Sequence, residues 1–392
     1  MQNYLSLDIL IDHTEDGYFV HIVNSPTGEA VAPFQFPFPP AELARFHRLL
    51  TTGESDGTES DNVNALLQSW GERLFKALFP GPLYSIVQSG YRFAYGERAR
   101  LRVRLQINHA PAVAMLPWEY LFDPMRKEFL ALSLQSPFLR YTNLMHRIVP
   151  FKVAPPLRML VVTASPGGYP AFDRDQAWFS VLDSLDYLAL ENKLVLERLS
   201  KPTLFDLQRR LREKEYHILH FIGHGNMNTF TGEGSLIFED EMGRGRPVNG
   251  EHLGALLRDH FSLRLVTLAA CEAVRTPTTN PYLTIAANLI RRGVPAVVAT
   301  HSSLSATATT TFANTFYRLI ADFVPVDLAM NETRRVLVGD QHKAAWGLPV
   351  LFMRSPEGQL FNAIPVDSQT TETTAIGATP RRRLWPSLGR RS

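Results

Sequence analysis

The strongest constraint on the fold is a regular alternation of apolar and amphipathic segments between residues 157 and 353. The apolar segments include LRMLVVT, HILHFIG, LRLVTLAA and PAVVAT, and the stretches between them carry apolar side chains at helical spacing. Strands that are apolar on both faces and alternate with helices are typical of a parallel sheet with helices on both sides. The sequence therefore predicts an α/β fold of three layers around a mainly parallel central sheet.

The first 150 residues follow a different pattern. Short alternating segments separated by turn residues indicate strands, and residues 63–79 have the spacing of an amphipathic helix. We expect a smaller, strand-rich α+β accessory region at 1–150, with an interaction or regulatory role. The α/β domain is expected at 151–362. A basic tail at 363–392 has too few apolar residues to fold and is expected to be disordered.

One segment of the N-terminal region alternates strictly. In residues 99–107, ARLRVRLQI, the apolar side chains occupy one face of a strand, and Arg102 and Arg104 occupy the other. Because charged side chains are mostly exposed, we expect the arginine face to be solvated. Trp118, in the apolar segment MLPWEYLFDP, is expected to be a packing anchor between domains.

Composition limits the function classes. The chain has 392 residues and one cysteine, so no intramolecular disulfide can form, and we expect a cytoplasmic protein. No apolar run is long enough to span a bilayer, so no transmembrane segment is expected. The net charge is +2, and five arginines of the tail account for it, which leaves the rest of the chain without the basic surface that nucleic acid requires. We therefore expect no nucleic-acid partner.

The candidate chemistry rests on two residues. Cys271 follows the apolar segment LRLVTLAA directly, and 47 residues earlier His224 follows the segment HILHFIG directly. Reactive groups of α/β proteins collect at the carboxyl ends of parallel strands, so both side chains are expected in one crevice. There the imidazole would activate the thiol for attack on a carbonyl and then protonate the leaving amine. The amides of Gly225 and Cys271 would form the oxyanion hole.

Two other interpretations fit the same residues. Taken singly, Cys271 would be a small buried apolar residue, and His224 would cap a turn. The cluster of His217, His220 and His224 suggests zinc, but on a strand His217 and His220 face opposite sides of the sheet. We therefore expect His217 and His220 to be core residues or residues that contact and support the site residues, with no metal and no cofactor.

Several motifs resemble the CHAT family of caspase-like cysteine peptidases, which is related to caspases and separases. They are HFIGHG at 220–225, LAACEA at 268–273, RRGVPAVVAT at 291–300, FANTFYRLIADFVPVDLAMNETRRVL at 312–337, WGLPVLF at 346–352 and LPWEYLFDP at 116–124. The resemblance covers roughly residues 100–362. It implies a caspase-hemoglobinase-like fold and a catalytic dyad of His224 and Cys271 without an essential third residue.

The resemblance also bears on specificity. Caspases have a glutamine two residues before the nucleophile, and arginine-cleaving relatives often have an aspartate, but this chain has Ala269. A neutral or apolar substrate side chain before the scissile bond is therefore expected. The candidate substrate pocket consists of Ala269, Glu272, Ser165 and His301, although His301 at a strand end would equally fit a surface position.

Two functions follow from these observations. The first is a caspase-like cysteine endopeptidase that cleaves a protein partner after regulated activation, and the family resemblance implies a role in bacterial stress or antiphage defence. Its partners would be a protein substrate and a regulatory or sensor protein. The alternative is a non-catalytic interaction module of the same fold that acts as a scaffold or sensor in a complex.

Overall fold

The computed structural model describes residues 3–53, 63–107, 109–144, 148–228, 230–270 and 280–364. Within these ranges the chain forms eighteen strands: β1 (Tyr4–Thr14), β2 (Gly17–Asn24), β3 (Ala30–Pro33), β4 (Arg100–Ile107), β5 (Phe122–Asp123), β6 (Glu128–Phe129), β7 (Phe138–Tyr141), β8 (Phe151–Val153), β9 (Leu157–Thr163), β10 (Leu194–Arg198), β11 (Ile218–Gly223), β12 (Gly225–Met227), β13 (Gly234–Glu239), β14 (Gly245–Asn249), β15 (Leu265–Ala270), β16 (Ala296–Thr300), β17 (Pro349–Met353) and β18 (Phe361–Ala363).

The same part of the chain forms ten α-helices. They are α1 (Pro40–Thr52), α2 (Val63–Leu78), α3 (Pro82–Gly96), α4 (Pro111–Ala114), α5 (Arg174–Leu190), α6 (Leu204–Glu213), α7 (Gly250–Leu257), α8 (Pro281–Arg292), α9 (Ala306–Ala321) and α10 (Val326–Leu337). Short polar side chains begin several of these helices. Asp173, Thr203, Asn249, Asn280 and Ser305 accept backbone N–H groups of the first turn, which satisfies donors that a helix leaves unpaired.

Eleven of the described strands form one sheet in the order β10-β9-β11-β15-β16-β17-β7-β4-β1-β2-β3. The five strands from β10 to β16 are parallel, and β17 is antiparallel to β16. From β17 the strands β7, β4 and β1 are again parallel to one another, and β2 and β3 end the sheet as antiparallel strands. The prediction of a mainly parallel central sheet is confirmed.

Helices cover both faces of the parallel half of the sheet. Successive residues of a strand point to opposite faces, so each strand packs against helices on both sides. On one face, Met159 and Val161 of β9 pack with buried residues of α5, α9 and α10. On the other face, Leu160 and Val162 pack with buried residues of α6, α7 and α8. The predicted three-layer α/β arrangement is therefore present.

The N-terminal region extends the same sheet. Strands β1 to β4 and β7 lie within residues 1–150, and β7 pairs with β17 through the contacts Arg140–Phe352 and Tyr141–Met353. Strands from before and after residue 150 thus belong to one sheet. The expected domain boundary near residue 150 stays a prediction. At the other end, β18 pairs with β8 and reaches residue 363, the first residue of the predicted tail.

The prediction of a solvated arginine face on β4 is wrong. The side chain of Arg102 is 2% exposed and its partner Asp327, at the start of α10, is completely buried. Arg102 also donates to the carbonyl oxygens of Pro356 and Glu357, 2.7 and 3.0 Å away. Arg104 is buried beside Asp8 of β1. These arginines are tolerated in the interior because each meets a carboxylate there, Asp327 for Arg102 and Asp8 for Arg104.

Trp118 is completely buried, and its indole Nε1 donates to the carbonyl of Val113 at 2.9 Å. Its ring lies 6.0 Å from that of Phe34, which precedes α1. Trp118 is therefore a packing residue, and its role between domains stays a prediction.

Candidate active site at the carboxyl ends of the parallel strands

The two strands that precede the candidate residues are neighbours in the sheet. Strands β11 and β15 pair in parallel, and Gly223 at the end of β11 is the register partner of Ala270 at the end of β15. His224 follows Gly223 directly. Cys271 and Glu272 lie outside the described residues, so the described site ends at Ala270 on this side.

His224 is held by the loop that joins β9 to α5. Its Nε2 lies 2.8 Å from the carbonyl oxygen of Pro170. The ring is stacked with Tyr169 at a centroid distance of 5.7 Å and meets Phe172 edge-on at 5.8 Å. A carbonyl oxygen only accepts hydrogen bonds, so Nε2 carries the proton and Nδ1 is left as the basic nitrogen of the neutral ring.

Burial determines the acid–base character of this histidine. His224 is 2% exposed, and the loss of hydration lowers the pKa of its imidazole. The hydrogen bond to Pro170 offsets part of this effect because it favours the charged ring. The imidazole is therefore neutral near pH 7, which is the state a general base requires.

The loop beside His224 also borders a polar cleft of about 700 Å³. Ser165 and Phe172 line the cleft from the loop, and Arg198 and Ser200 line it from the end of β10. Ser165, a predicted pocket residue, thus borders a cavity next to the histidine. Its hydroxyl oxygen also accepts the backbone N–H of Phe172 at 3.1 Å, so it braces the loop from within.

The glycines on either side of His224 are required by packing. A Cβ on Gly225 would lie 2.9 Å from Pro281 and 3.0 Å from the ring of Tyr282, the first two residues of α8. A Cβ on Gly223 would lie 2.8 Å from the ring of Phe221 and 3.0 Å from the carbonyl oxygen of Ala164. In the described chain the close neighbours of both glycines are therefore protein groups.

The beginning of α8 is tied to two strand ends. Tyr282 donates its hydroxyl to the carbonyl of Gly223 at 2.8 Å. Asn280 accepts the backbone N–H of Tyr282 at 2.9 Å and donates its amide to the carbonyls of Thr300 and His301, 2.8 and 2.9 Å away. The helix therefore starts at a fixed position beside the ends of β11 and β16.

His301 lies in the interior and not at the surface position that a strand end would equally fit. Its side chain is 3% exposed, and Nε2 lies 2.8 Å from a carboxylate oxygen of Glu119. Glu119 is held in turn by Arg140, at 2.9 and 3.0 Å, and the nearby cation keeps the pKa of the Glu119 carboxyl well below its usual range. The surface alternative is wrong, because the imidazole is bound in the interior by a buried carboxylate from the N-terminal region.

Ala269 is half-buried on β15. A role in the substrate pocket stays a prediction for Ala269 and for His301.

The three neighbouring histidines have separate partners. His217 accepts the backbone N–H of Arg158 at 2.8 Å, and His220 contacts the hydroxyl of Tyr317. Both are buried, as expected for core residues. No group of three histidine, cysteine, aspartate or glutamate side chains in the described ranges is arranged to hold a metal ion.

Sequence reasoning missed the groups that orient His224. These are the carbonyl of Pro170 and the rings of Tyr169 and Phe172, all in the segment SPGGYPAF that follows β9. The available signal was the position of this segment after a parallel strand, where the loops of α/β proteins form the site.

The fold and the site define a three-layer α/β protein with an oriented histidine at the end of a central parallel strand. The family model of the CHAT domain matches residues 68–356, and the chain belongs to this family. The predicted family is thereby confirmed. No curated protein sequence matches the chain.

Solved structures with a related arrangement are distant. A Saccharomyces cerevisiae separase–securin complex matches with a TM-score of 0.38 and 12% identity over 65% of this chain and 15% of that chain. The complex of the Porphyromonas gingivalis RgpB pro- and mature domains matches with a TM-score of 0.45 and 9% identity, over 78% of each chain. The Arg-specific cysteine proteinase gingipain R matches with a TM-score of 0.42 and 9% identity, over 81% of this chain and 74% of that chain. Among the described helices, none has the length and apolar character that a bilayer crossing requires.

Proposed function

We propose that this chain is a caspase-like cysteine endopeptidase in which Cys271 is the nucleophile and His224 the general acid and base. The observation that carries the proposal is the register of β11 and β15. Gly223 and Ala270, which directly precede His224 and Cys271, are partners on adjacent parallel strands. Membership of the CHAT family adds support from the whole matched region.

The orientation of His224 is consistent with this chemistry. Because Nε2 is engaged by Pro170, Nδ1 takes the thiol proton. The thiolate attacks the carbonyl carbon of the substrate, and the amides of Gly225 and Cys271 would receive the negative charge on its oxygen. When the C–N bond breaks, Nδ1 returns the proton to the leaving amine, and water then hydrolyses the thioester. The N-terminus of α8, which packs on Gly225, would favour the thiolate through its dipole.

We further propose that residues 1–150 regulate the site. Support comes from Glu119 of that region, which binds His301 at the end of β16, where Asn280 also binds. A protein that docks on the N-terminal region would act on this strand end through the buried contact between Glu119 and His301. The substrate would be a protein partner in the cytoplasm, and cleavage after such a signal would serve bacterial stress or antiphage defence.

Identification of new protein N-termini in a bacterial lysate tests the proposal. The wild type is compared with Cys271→Ala and His224→Ala, and His252→Gln serves as a matched control because His252 is an exposed histidine. We expect new N-termini with the wild type and with the control, and none with the two site variants. Products that persist in Cys271→Ala would contradict the proposal, and a wild type without any products would favour the non-catalytic interaction module.

A further inference from the structure

The carbonyl that orients His224 lies in a loop and needs support of its own. Residues 164–173 between β9 and α5 include Gly168, whose φ of +88° is in the left-handed region. Two backbone hydrogen bonds attach this loop to the turn between β13 and β14. The N–H of Gly167 donates to Gly243 at 2.8 Å, and the N–H of Gly245 donates to Gly167 at 3.2 Å. These bonds hold only the middle of the loop.

One carboxylate holds both ends. Oε1 of Glu239 accepts the backbone N–H of Ser165 at 3.2 Å, where the loop leaves β9. Both oxygens of the same carboxylate lie within reach of the guanidinium of Arg174, at 3.3 and 3.4 Å, where the loop enters α5. Ser165 in turn accepts the N–H of Phe172, whose ring contacts His224.

Glu239 is well placed for this role because its own position is fixed. It is the last residue of β13, pairs with Gly245 of β14, and donates its backbone N–H to the carbonyl of Pro202 at 2.9 Å. Its side chain is 12% exposed, and that of Arg174 is 30% exposed. A charge pair with this degree of shielding is less weakened by solvent than a fully exposed pair.

We infer that Glu239 is a positioning residue for His224, which acts by clamping Ser165 and Arg174 so that the carbonyl of Pro170 faces Nε2. This inference rests on the proposed function for its catalytic meaning. Its physical content is independent of that function, since it concerns the tautomer of one imidazole. Without the clamp, the carbonyl leaves Nε2 and the proton is shared between the two ring nitrogens.

Histidine-selective ¹⁵N NMR measures this tautomer directly. The experiment compares Cys271→Ala with Cys271→Ala/Glu239→Ala, and the His224 signals are assigned from their loss in His224→Gln. We expect the parent to hold the proton on Nε2 and the Glu239→Ala protein to show a mixture of both tautomers. Because burial is the larger influence on His224, its pKa should move up towards 6.5 as the loop opens. An unchanged His224 spectrum would overturn the inference.

Three further variants separate positioning from general damage to the fold. Glu239→Gln keeps an acceptor for Ser165 but loses the charge that faces Arg174, so an intermediate spectrum is expected. Glu241→Ala removes an exposed carboxylate from the neighbouring turn and should leave the spectrum unchanged. If Glu239→Ala does not fold, Arg174→Met removes one end of the clamp, and a His224 spectrum of the parent type in that variant would equally overturn the inference.

A second readout connects the clamp to reactivity. Alkylation of Cys271 by iodoacetamide should slow about tenfold in Glu239→Ala, the effect of one lost hydrogen bond at the base. If Cys271 and His224 do not form a dyad, Cys271 reacts as an ordinary thiol in every variant. The NMR comparison still shows whether Glu239 positions His224. If only the inference fails, His224→Ala slows alkylation and Glu239→Ala does not.

Discussion

The carbonyl oxygen of Pro170 lies 2.8 Å from Nε2 of His224, and the two residues are 54 positions apart in the chain. This bond fixes which nitrogen of the imidazole holds the proton. It also makes the β9–α5 loop part of the site, since the same loop supplies Tyr169 and Phe172, whose rings contact the imidazole. Substitutions that displace this loop should therefore change the environment of the His224 imidazole.

Gly245 offers a direct way to disturb the loop. A Cβ at this position would lie 2.4 Å from the ring of Tyr169, which stacks on His224. We expect Gly245→Ala to displace Tyr169, to lower the free energy of unfolding by about 1–3 kcal/mol through overpacking, and to shift the NMR signals of His224. Gly167→Ala is the matched control, because its Cβ would meet only the carbonyl oxygen of Gly243 at 3.5 Å. Equal effects of the two substitutions would contradict this account of the packing.

The buried pair Arg102–Asp327 makes a second prediction. Arg102→Met should lower the free energy of unfolding by about 3–5 kcal/mol, because it leaves a buried carboxylate without its cation. The double variant Arg102→Met/Asp327→Asn should recover much of this loss. Urea denaturation of the wild type, of Arg102→Met, of Asp327→Asn and of the double variant gives the coupling energy between the two charges. Purely additive effects would show that the two charges do not depend on each other.

Buried histidines predict a pH dependence of stability. Burial lowers the pKa of His217 and of His220 to about 4, from an ordinary value of 6.5. Between these values the unfolded chain binds more protons than the folded one, so stability falls as the pH drops below about 6.5. At pH 5 we expect a loss of about 2 kcal/mol for each histidine.

Urea denaturation between pH 7 and pH 5 measures that loss. The exposed histidine of α7 provides the control, since His252→Gln should leave the pH profile as it is in the wild type. A denaturation midpoint that stays constant from pH 7 to pH 5 would be incompatible with neutral, buried imidazoles at positions 217 and 220.

Much of the parallel half could be predicted from the sequence, because each strand there is a short apolar run and each helix has a regular apolar spacing. The placement of His224 at a strand end followed from the same pattern. Helix α7 begins at Gly250 because Asn249 provides a cap that accepts the N–H of His252. That capping signal is local and was available in the sequence.

Long-range partners could not be predicted in this way. Asp327 lies 225 residues from Arg102, and Glu119 lies 182 residues from His301. Periodicity reports which face of an element is apolar, but it does not reveal that a charge on the other face meets an opposite charge from a distant element. The position of the β9–α5 loop could be predicted from the sequence, but the particular carbonyl that orients His224 could not, since every residue carries a backbone carbonyl.

The reactivity of Cys271 tests the central claim most directly, because it is the only thiol of the chain and the mass of the alkylated protein reports on it alone. The rate of alkylation by iodoacetamide is measured from pH 5 to pH 10 in the wild type and in His224→Ala. We predict that the wild-type rate rises with an apparent pKa below the ordinary thiol value of about 8.5, and that His224→Ala returns it to that value. The same rate and the same pH profile in both proteins would contradict a dyad of Cys271 and His224.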